Sequence, residues 1–312
     1  MKVLLLGCSS IAARRALPAL KSLSAVEGID AASRRGADAA ASFAENGTAF
    51  ASPEAALAKS DAALVYVSTE NGMHAELAEA ALSTGRHVVV DKPAFPDAKT
   101  TDRLLDRAEA AGLVLAEATV FLDHPRIAAL TKLFEDGGRP TRVQACFSFP
   151  PLPADNFRYD PARGGGAFAD LGPYAAATCR YFLGEAPDDI SCRILSRAAV
   201  ETAFAVTATA SDGRCFSGIY GFDTEYQNWV SATGPGIAVR LDRFCTPPPD
   251  VSLPLQVRQN NEERMIETDA GDCFAGMFAR LLAAIETGET AALHDAARAD
   301  AAFRDRLREN AV

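Results

Sequence analysis

A lysine and a proline follow a short apolar run in the first third of the chain. The run is His87–Val90, and Asp91, Lys92 and Pro93 come directly after it. Ligands of open parallel sheets bind outside the carboxyl ends of the strands, so a strand here would place Lys92 beside such a crevice. Its ammonium group could then hydrogen-bond a hydroxyl of a bound molecule and bring positive charge near a proton-transfer group. The alternative is a strand-end lysine that points into water.

A carboxylate and a phenol stand four residues apart in the second half of the chain. Asp170 and Tyr174 follow three glycines at 164–166, and their spacing would put both on one face of a helix. A phenol with a pKa of about 10 exchanges protons poorly at neutral pH unless a nearby cation stabilises its anion. Lys92 is a candidate for that cation, and a core tyrosine with a satisfied hydroxyl is the alternative. The glycines fit either close approach to a ligand or a sharp start to the helix.

Polar side chains just upstream of the glycines could line a pocket for a carbohydrate or a phosphate. They are Asn156, Arg158, Tyr159 and Arg163. For half of these four, a solvated position on the surface is the better interpretation.

The other candidates for chemistry do not form a site. His87 precedes a strand and is expected to be structural, and His294 opens the last helix and is expected on the surface. Cys179 has no activating partner in the sequence and is expected in the core. No cluster of histidine, cysteine and carboxylate has metal-ligand spacing, so we predict no metal site.

A glycine-containing turn lies between the first apolar run and the first amphipathic segment. Its sequence is Gly7-Cys8-Ser9-Ser10-Ile11-Ala12. The dinucleotide fingerprint G-x-G-x-x-G/A fits at Gly7 and Ala12, whereas Ser9 replaces the middle glycine that lets the backbone approach a pyrophosphate. A serine hydroxyl could bond a phosphate oxygen instead, and Ser9 or Ser10 could cap the helix. An ordinary strand-to-helix turn is the alternative.

Two arginines stand where an NAD-binding protein carries an acidic residue. The segment Ser33-Arg34-Arg35 ends the second predicted strand, about 20 residues past the glycine turn. Guanidinium groups there can engage a 2′-phosphate with charge-assisted bonds, which favours NADP(H) over NAD(H). The alternative is a pair of solvated surface charges.

The segments around these residues fall into two groups. Up to about residue 120, short apolar strands alternate with Ala-rich helices, a pattern typical of a doubly wound parallel sheet. After that, strands follow one another with one interrupting helix at about Ala167–Phe182, which predicts an α+β domain on a large, mostly antiparallel sheet. We therefore predict an α/β protein with a Rossmann domain at residues 1–120 and a substrate and oligomerisation domain at 121–312.

Composition limits the possible classes of function. The 312 residues carry a formal charge of −10, and 48% are hydrophobic and 23% charged, which is ordinary for a folded domain and argues against disorder. The acidic balance argues against a nucleic-acid partner, and no apolar run reaches the ~18–20 residues of a membrane span. Seven scattered cysteines without a C-x-x-C pair indicate free thiols in a reducing compartment. We expect a soluble, cytoplasmic protein.

Several motifs resemble those of the Gfo/Idh/MocA family, the glucose-fructose oxidoreductase, inositol dehydrogenase and rhizopine catabolism proteins. Asp91-Lys92-Pro93 is similar to the family's E-K-P, and Asn71 with His74, the pair His124-Pro125 and the glycine-rich stretch 164–174 also match. The segment at residues 7–18 looks most like the NADP-dependent NDP-hexose 3-ketoreductases. The resemblance covers nearly the whole chain.

This resemblance implies a sugar oxidoreductase in which hydride passes between nicotinamide and a sugar carbon. It gives Tyr174 the role of proton donor and acceptor, assisted by Lys92, with Asp170 as a further catalytic group. Beyond the glycine turn and the Ser33-Arg34-Arg35 segment, it adds cofactor contacts at Ser68, Thr69, Asn71, His74, Asp91 and Lys92. The predicted substrate-binding residues are Lys92, Asn156, Arg158, Tyr159, Arg163, Asp170 and Tyr174.

The sequence is also compatible with two other functions. The first is a non-catalytic dinucleotide-binding regulator or scaffold, which would be expected to lose the lysine or the tyrosine. The second is a dehydrogenase of free sugars or of a dihydrodiol, because no feature separates a free sugar from a sugar nucleotide. The resemblance and the apolar strands of the second domain also predict a homodimer or homotetramer.

Overall fold

A computed structural model of the chain describes residues 1–184 and 186–312. They divide into two compact units. The first comprises Met1–Ala118 and Phe274–Arg298, and the second comprises Thr119–Cys273 and Ala299–Val312. The segment Phe274–Arg298 thus belongs with the first unit, which differs from the predicted division into residues 1–120 and 121–312.

The first unit contains a parallel sheet built from short apolar strands. Its strands are β1 (Lys2–Leu6), β2 (Gly28–Ala32), β3 (Ala49–Phe50), β4 (Leu64–Val67), β5 (His87–Asp91) and β6 (Leu115–Ala118). They lie in the order β3-β2-β1-β4-β5-β6. Because the sheet is covered on both faces, Leu4, Leu5 and Val65 are all buried although neighbouring side chains point to opposite sides. The order reverses between β1 and β4, where ligands of such sheets bind.

Helices connect these strands. They are α1 (Leu17–Ser22), which continues a π-helical turn at Ala12–Ala16, α2 (Ala37–Ala41), α3 (Pro53–Lys59), α4 (His74–Ser83) and α5 (Ala98–Ala110). The side chain of Ser52 accepts a hydrogen bond from the Ala55 amide at 3.2 Å, and Pro53 occupies the first helical position. Ser52 therefore caps α3, and a proline fits at the next position because its missing N–H has no helical partner.

The second unit contains a larger sheet and its covering helices. Its elements are α6 (Pro125–Gly137), β7 (Arg142–Ser148), α7 (Ala167–Asp170), α8 (Gly172–Leu183), β8 (Asp189–Arg197), β9 (Glu201–Thr209), β10 (Cys215–Gly221), β11 (Gln227–Thr233), β12 (Ala238–Asp242), β13 (Leu255–Gln259) and β14 (Glu262–Ile266). The strand order is β14-β13-β12-β11-β7-β10-β9-β8. β7 and β10 pair in parallel and the other neighbours are antiparallel, which confirms the predicted fold class.

One face of the large sheet supplies the core of the second unit. Phe216 and Tyr220 of β10 and Val230 of β11 are buried in one apolar cluster with Ala176 and Cys179 of α8. The burial of Cys179 confirms that it is a core residue. Residues between the buried positions point to the opposite face, as the alternation of a strand requires.

Two helices complete the chain, α9 (Cys273–Thr287) and α10 (Ala291–Glu309). In the first unit, Phe278 packs edge-on against Tyr66, with ring centroids 5.6 Å apart. His294 is only 1% exposed, so its expected surface position is wrong. Its buried Nε2 is satisfied by a hydrogen bond that it accepts from the Leu115 amide at 3.2 Å.

Three observations concern the described residues as a whole. None of their helices is both long and apolar enough to cross a membrane. In residues 1–184 and 186–312, no three histidine, cysteine or carboxylate side chains come together as a metal site. The cysteines of these ranges are free thiols.

Candidate functional site

The turn after β1 is shaped by Gly7 and Ser9. Gly7 has φ of 103°, and a Cβ atom there would lie 2.2 Å from the Ser68 carbonyl oxygen, so a side chain does not fit. Ser9 caps the helix: its Oγ accepts from the Ala12 amide at 3.0 Å and its carbonyl oxygen from the Ala13 amide at 3.0 Å. The predicted serine cap is thereby confirmed and assigned to Ser9.

A chain of hydroxyl groups runs from this turn to the end of β5. The Oγ atoms of Ser9 and Ser68 are 2.6 Å apart, and Ser68 donates to Oδ2 of Asp91 at 2.5 Å. Tyr66 donates to the other carboxylate oxygen at 2.5 Å. Burial raises the pKa of Asp91, although the two hydroxyl donors act in the opposite direction. Burial also raises the pKa of Tyr66 well above its ordinary value, and the Asp91 charge adds to this.

The backbone on the far side of Lys92 is held as well. The His74 ring lies between two carbonyl oxygens, with Nδ1 2.9 Å from Pro93 O and Nε2 3.2 Å from Thr69 O. The Ala94 amide donates to Oε2 of Glu117 at 2.8 Å. Lys92 directly follows the last residue of β5, so it stands at the carboxyl end of a parallel strand, as predicted from the sequence.

The arginine pair borders the turn. Ser33 Oγ accepts from the Arg35 amide at 3.1 Å, and Nη2 of Arg35 donates to the Cys8 carbonyl oxygen at 3.1 Å. Arg34 is exposed, and its charge contributes to the lowered pKa of Glu54, behind the larger effect of hydrogen bonding to Ser52. One guanidinium group therefore lies against the glycine turn itself.

The helix predicted at Ala167–Phe182 is broken between Asp170 and Tyr174. α7 ends at Asp170 and α8 starts at Gly172. Pro173 has no N–H, so it cannot make the hydrogen bond that would continue the first helix. The expectation of a single helix that carries both residues is therefore wrong: Tyr174 lies in the first turn of α8, although the Asp170 charge still acts on its phenol.

Tyr174 is enclosed by aromatic rings. Its ring centroid is 5.0 Å from that of Phe147, in an edge-on arrangement, and 5.6 Å from that of Phe121. Burial raises the pKa of the Tyr174 phenol well above its ordinary value, the Asp170 charge raises it further, and Arg158 acts weakly in the opposite direction. In the second unit the phenol is thus kept in its neutral, proton-carrying form.

Three of the predicted pocket residues surround Asp170 or support its loop. Nε of Arg158 lies 2.8 Å from Oδ2 of Asp170, which pairs the two charges. Asn156 Oδ1 accepts from the Arg158 amide at 3.1 Å, and the Tyr159 hydroxyl accepts from the Leu152 amide at 3.0 Å. Arg163 stacks its guanidinium group over Phe157 at 5.7 Å.

Two of the three glycines are required by contacts within the protein itself. A Cβ atom on Gly165 would lie 2.6 Å from the Arg158 carbonyl oxygen, and one on Gly166 would lie 2.4 Å from Oε1 of Glu201. The same Glu201 oxygen accepts from the Phe168 amide at 3.1 Å. Of the two interpretations left open by the sequence, these contacts favour a sharp start to the helix.

Sequence reasoning missed three residues that support these candidates, namely Tyr66 and Glu117 in the first unit and Glu201 in the second. A signal existed for the first two. Tyr66 lies inside a fully buried strand, where its hydroxyl must find a partner, and Glu117 is a carboxylate within an apolar run. Glu201 gave no signal, because only the fold brings it to the start of α7.

Comparison with known proteins places this geometry in a family. A model described as "Oxidoreductase family, NAD-binding Rossmann fold" matches residues 1–119, and the Gfo/Idh/MocA C-terminal domain matches residues 127–238. The chain is 30% identical to a dTDP-3,4-didehydro-2,6-dideoxy-alpha-D-glucose 3-reductase from Actinomadura kijaniata, over 93% of this chain and 89% of that protein. It is 37% identical to a D-xylose 1-dehydrogenase (NADP(+)) 2 from Haloferax volcanii, over 60% of this chain and 58% of the relative.

A solved structure agrees with the fold. The crystal structure of a 3-ketoreductase from Actinomadura kijaniata, in complex with NADP and TDP-benzene, has a TM-score of 0.93 and 29% sequence identity. The match covers 100% of this chain and 98% of that one. Both structural units are thus accounted for, and the chain belongs to the Gfo/Idh/MocA family of oxidoreductases.

Proposed function

We propose that the protein is an NADP(H)-dependent oxidoreductase acting on a sugar or a nucleotide-linked ketosugar. The observation that carries this proposal is the match over nearly the full chain to dTDP-sugar 3-reductases, combined with a lysine at the end of β5 and a buried phenol at the start of α8. In this assignment the first unit binds the cofactor and the second unit binds the substrate.

The first unit fits a dinucleotide. Gly7 leaves no room for a side chain, Ser9 caps the helix that follows, and a helix N-terminus favours a phosphate group. Arg35 lies against the same turn, which supports the proposal that its guanidinium group contacts a 2′-phosphate. When bound, the nicotinamide ring supplies or accepts the hydride.

Tyr174 is the proposed proton donor in the direction of reduction. The phenol carries its proton at neutral pH, but burial raises its pKa and makes it a weaker acid, so it needs a cation that stabilises the tyrosinate once the proton is given. Reduction adds the hydride to the carbonyl carbon and the phenolic proton to the carbonyl oxygen, so the products are an alcohol, oxidised cofactor and a tyrosinate that regains its proton from solvent. Lys92 supplies the positive charge that stabilises the developing negative charge, and Asp170 positions the substrate.

Replacing the phenol tests this assignment. We expect Tyr174→Phe to lower kcat by about two to four orders of magnitude while leaving the affinity for NADPH unchanged, because only the proton donor is lost. Tyr181→Phe is the matched control, since Tyr181 lies on the same helix and donates or accepts its hydrogen bond with Thr131 at 2.9 Å.

The measurement is NADPH oxidation against a panel of keto-sugars and keto-sugar nucleotides, with NADPH affinity followed by fluorescence. A Tyr174→Phe enzyme within about threefold of the wild-type kcat, where chemistry limits turnover, would show that the phenol only packs. In Lys92→Ala, kcat should fall by about the same factor as in Tyr174→Phe, and KM for the substrate should rise.

A free-sugar dehydrogenase is the second candidate. The similarity to the D-xylose dehydrogenase of Haloferax volcanii favours it. The same panel distinguishes the two functions when it includes aldoses with NADP⁺, because oxidation of a free sugar without activity on sugar nucleotides would select this second function.

A further inference from the structure

The hydroxyl chain between the glycine turn and β5 has a fixed direction. A serine hydroxyl carries one proton, and that of Ser68 is donated to Asp91. The Ser9 hydroxyl must therefore donate to Ser68, and its oxygen is left to accept the Ala12 amide. The sequence allowed the Ser9 hydroxyl to bond a phosphate oxygen, but its proton is directed into the protein. The series of hydrogen bonds therefore runs from the Ala12 amide to the Asp91 carboxylate.

The Asp91 carboxylate, at the end of this series of hydrogen bonds, is held in place. Tyr66 donates to the second oxygen of the Asp91 carboxylate, so rotation of the carboxylate would break one of the two bonds. Ser68 is buried and Tyr66 is fully buried, which makes an unpaired hydroxyl or carboxylate oxygen here unfavourable. Because no solvent is available to replace these hydrogen bonds, a shift of the turn at Ser9 would move the Asp91 carboxylate as well.

Asp91 directly precedes Lys92. The two residues after Lys92, Pro93 and Ala94, are also held by contacts of their backbone. His74 contacts the Pro93 carbonyl, and Glu117 accepts from the Ala94 amide. The backbone around Lys92 therefore has two supports, of which one leads to the glycine turn through Ser68. Only the support through Ser68 includes the Ser9 hydroxyl, whereas the His74 ring reaches the Thr69 carbonyl oxygen.

We propose that Ser68 is a positioning residue that couples occupation of the glycine turn by a dinucleotide phosphate to the placement of Lys92. The coupling runs through Ser9, Ser68 and Asp91, and it rests on the proposed function of the turn as a cofactor site.

The first unit offers a matched control. Ser60 donates to Oδ2 of Asp30 at 2.6 Å, a bond between the same two side-chain types that is also buried in this unit. It lies before β4, whereas Ser68 lies after β4. Removing either hydroxyl should lower the stability of the unit, but only the loss of Ser68 should interrupt the path to Lys92.

The test is hydrogen exchange of the full-length protein with and without saturating NADPH, followed in the peptides that contain the turn and Ala94. In the wild type and in Ser60→Ala, we expect NADPH to slow exchange in both regions. In Ser68→Ala we expect slowing in the turn and a loss of at least about threefold in the protection around Ala94. Ser9→Ala, which cuts the chain at its other link, should give the same pattern.

Steady-state kinetics supply the second readout. Ser68→Ala should lower kcat at saturating NADPH by about fivefold or more, whereas a purely structural role would leave kcat close to that of Ser60→Ala. NADPH-induced protection around Ala94 that survives in Ser68→Ala would overturn the inference alone. A wild-type protein that does not bind NADPH would overturn the proposed function, and the inference with it.

Discussion

Gly7 occupies a position that a side chain cannot share. Its φ is 103° and an added Cβ would overlap the Ser68 carbonyl oxygen. Gly85 also has positive φ, 74°, but an added Cβ there would have nothing within 4 Å. Comparing the two glycines therefore distinguishes the cost of backbone strain from the cost of steric overlap. The glycine at the start of the nucleotide fingerprint is therefore dictated by the neighbouring strand as well as by any ligand.

We predict that Gly7→Ala destabilises the protein by at least about 2 kcal/mol, from strain and overlap together, and weakens NADPH binding. Gly85→Ala should cost about 1 kcal/mol, because it introduces only strain, and leave binding unchanged. Denaturant unfolding and a fluorescence titration measure both effects. Equal losses in the two variants would show that the contact with Ser68 is easily relieved.

The arginine pair supports a second prediction at the level of single residues. Arg35 is tied to the Cys8 carbonyl and Arg34 is exposed beside it, so both should contact a 2′-phosphate. Each bond of this kind contributes about 1.5–3 kcal/mol, so each alanine variant should lose about one to two orders of magnitude of preference for NADPH over NADH. Arg103→Ala, on the surface of α5, is the control.

The affinities of both reduced cofactors for each variant, measured by fluorescence, decide this point. A preference that Arg34→Ala and Arg35→Ala leave unchanged would mean that these residues are ordinary surface charges.

The sequence allowed some of the site to be predicted at this scale. A lysine after an apolar run was predicted at a strand end, and Ser9 or Ser10 was predicted to cap the helix after the turn; the structure assigns the cap to Ser9. The pairing of Glu201 with the start of α7 could not be inferred, because that contact joins residues far apart in sequence. The pairing of Asp170 with Arg158 depends on the irregular loop between them, whose path the sequence pattern does not give. The prediction of one helix carrying Asp170 and Tyr174 was wrong, and Pro173 was a signal of the break that the sequence contained.

Among the elements, β6 depends on two histidines. Nδ1 of His87 accepts from the Val114 amide at 3.0 Å, and Nε2 of His294 accepts from the Leu115 amide at 3.2 Å. A ring nitrogen can accept only when it carries no proton. Burial lowers the pKa of His87, and it also lowers that of His294, although Glu109 acts in the opposite direction.

These shifts predict an acid-sensitive edge of the first unit. The unfolded chain has a histidine pKa of about 6.5, so below that pH it binds more protons than the folded state. Stability should therefore be complete above about pH 6.5 and decrease as the pH falls below it, by at most about 1.4 kcal/mol per pH unit for each histidine. The pKa of the neighbouring Glu109 is lowered mainly by Arg298, so this carboxylate titrates at lower pH.

Denaturant unfolding between pH 7.5 and 5.0 measures the effect. A variant with both histidines replaced by glutamine keeps an acceptor at each position and should show a smaller decrease with acidification than the wild type. The same slope in both proteins would show that these hydrogen bonds do not determine the response to acid.

Prediction of the elements succeeded where periodicity was strong. The longer parallel strands of the first unit and the strands β7–β12 follow from their apolar patterns, whereas the two-residue strand β3 was not predicted. The hairpin β13–β14 was missed because its second strand is mostly exposed and shows little alternation. Its turn contains Asn260 and Asn261, with φ of 53° and 63°, and this asparagine pair was the available signal.

At the scale of the whole molecule, the large sheet has one uncovered face. Leu195, Ile219 and Met265 are 50–55% exposed, and they lie on β8, β10 and β14. A groove of about 380 Å³ on β11–β14 includes Met265 together with Arg240 and other outward-pointing side chains. Large apolar side chains spread over a flat, accessible surface of this kind are typical of a face that another protein covers.

We predict that this face pairs with the same face of a second copy, since a two-fold axis allows each exposed side chain to meet its equivalent surface. The protein should then sediment at micromolar concentration as a dimer or a dimer of dimers rather than at 32.9 kDa. Ile219→Lys places a charge at the centre of the face and should shift the equilibrium toward the monomer. Val251→Lys changes an apolar residue of similar exposure that lies outside the strands and should leave the assembly intact. A wild-type protein that sediments only as a monomer would show that this face stays open to solvent.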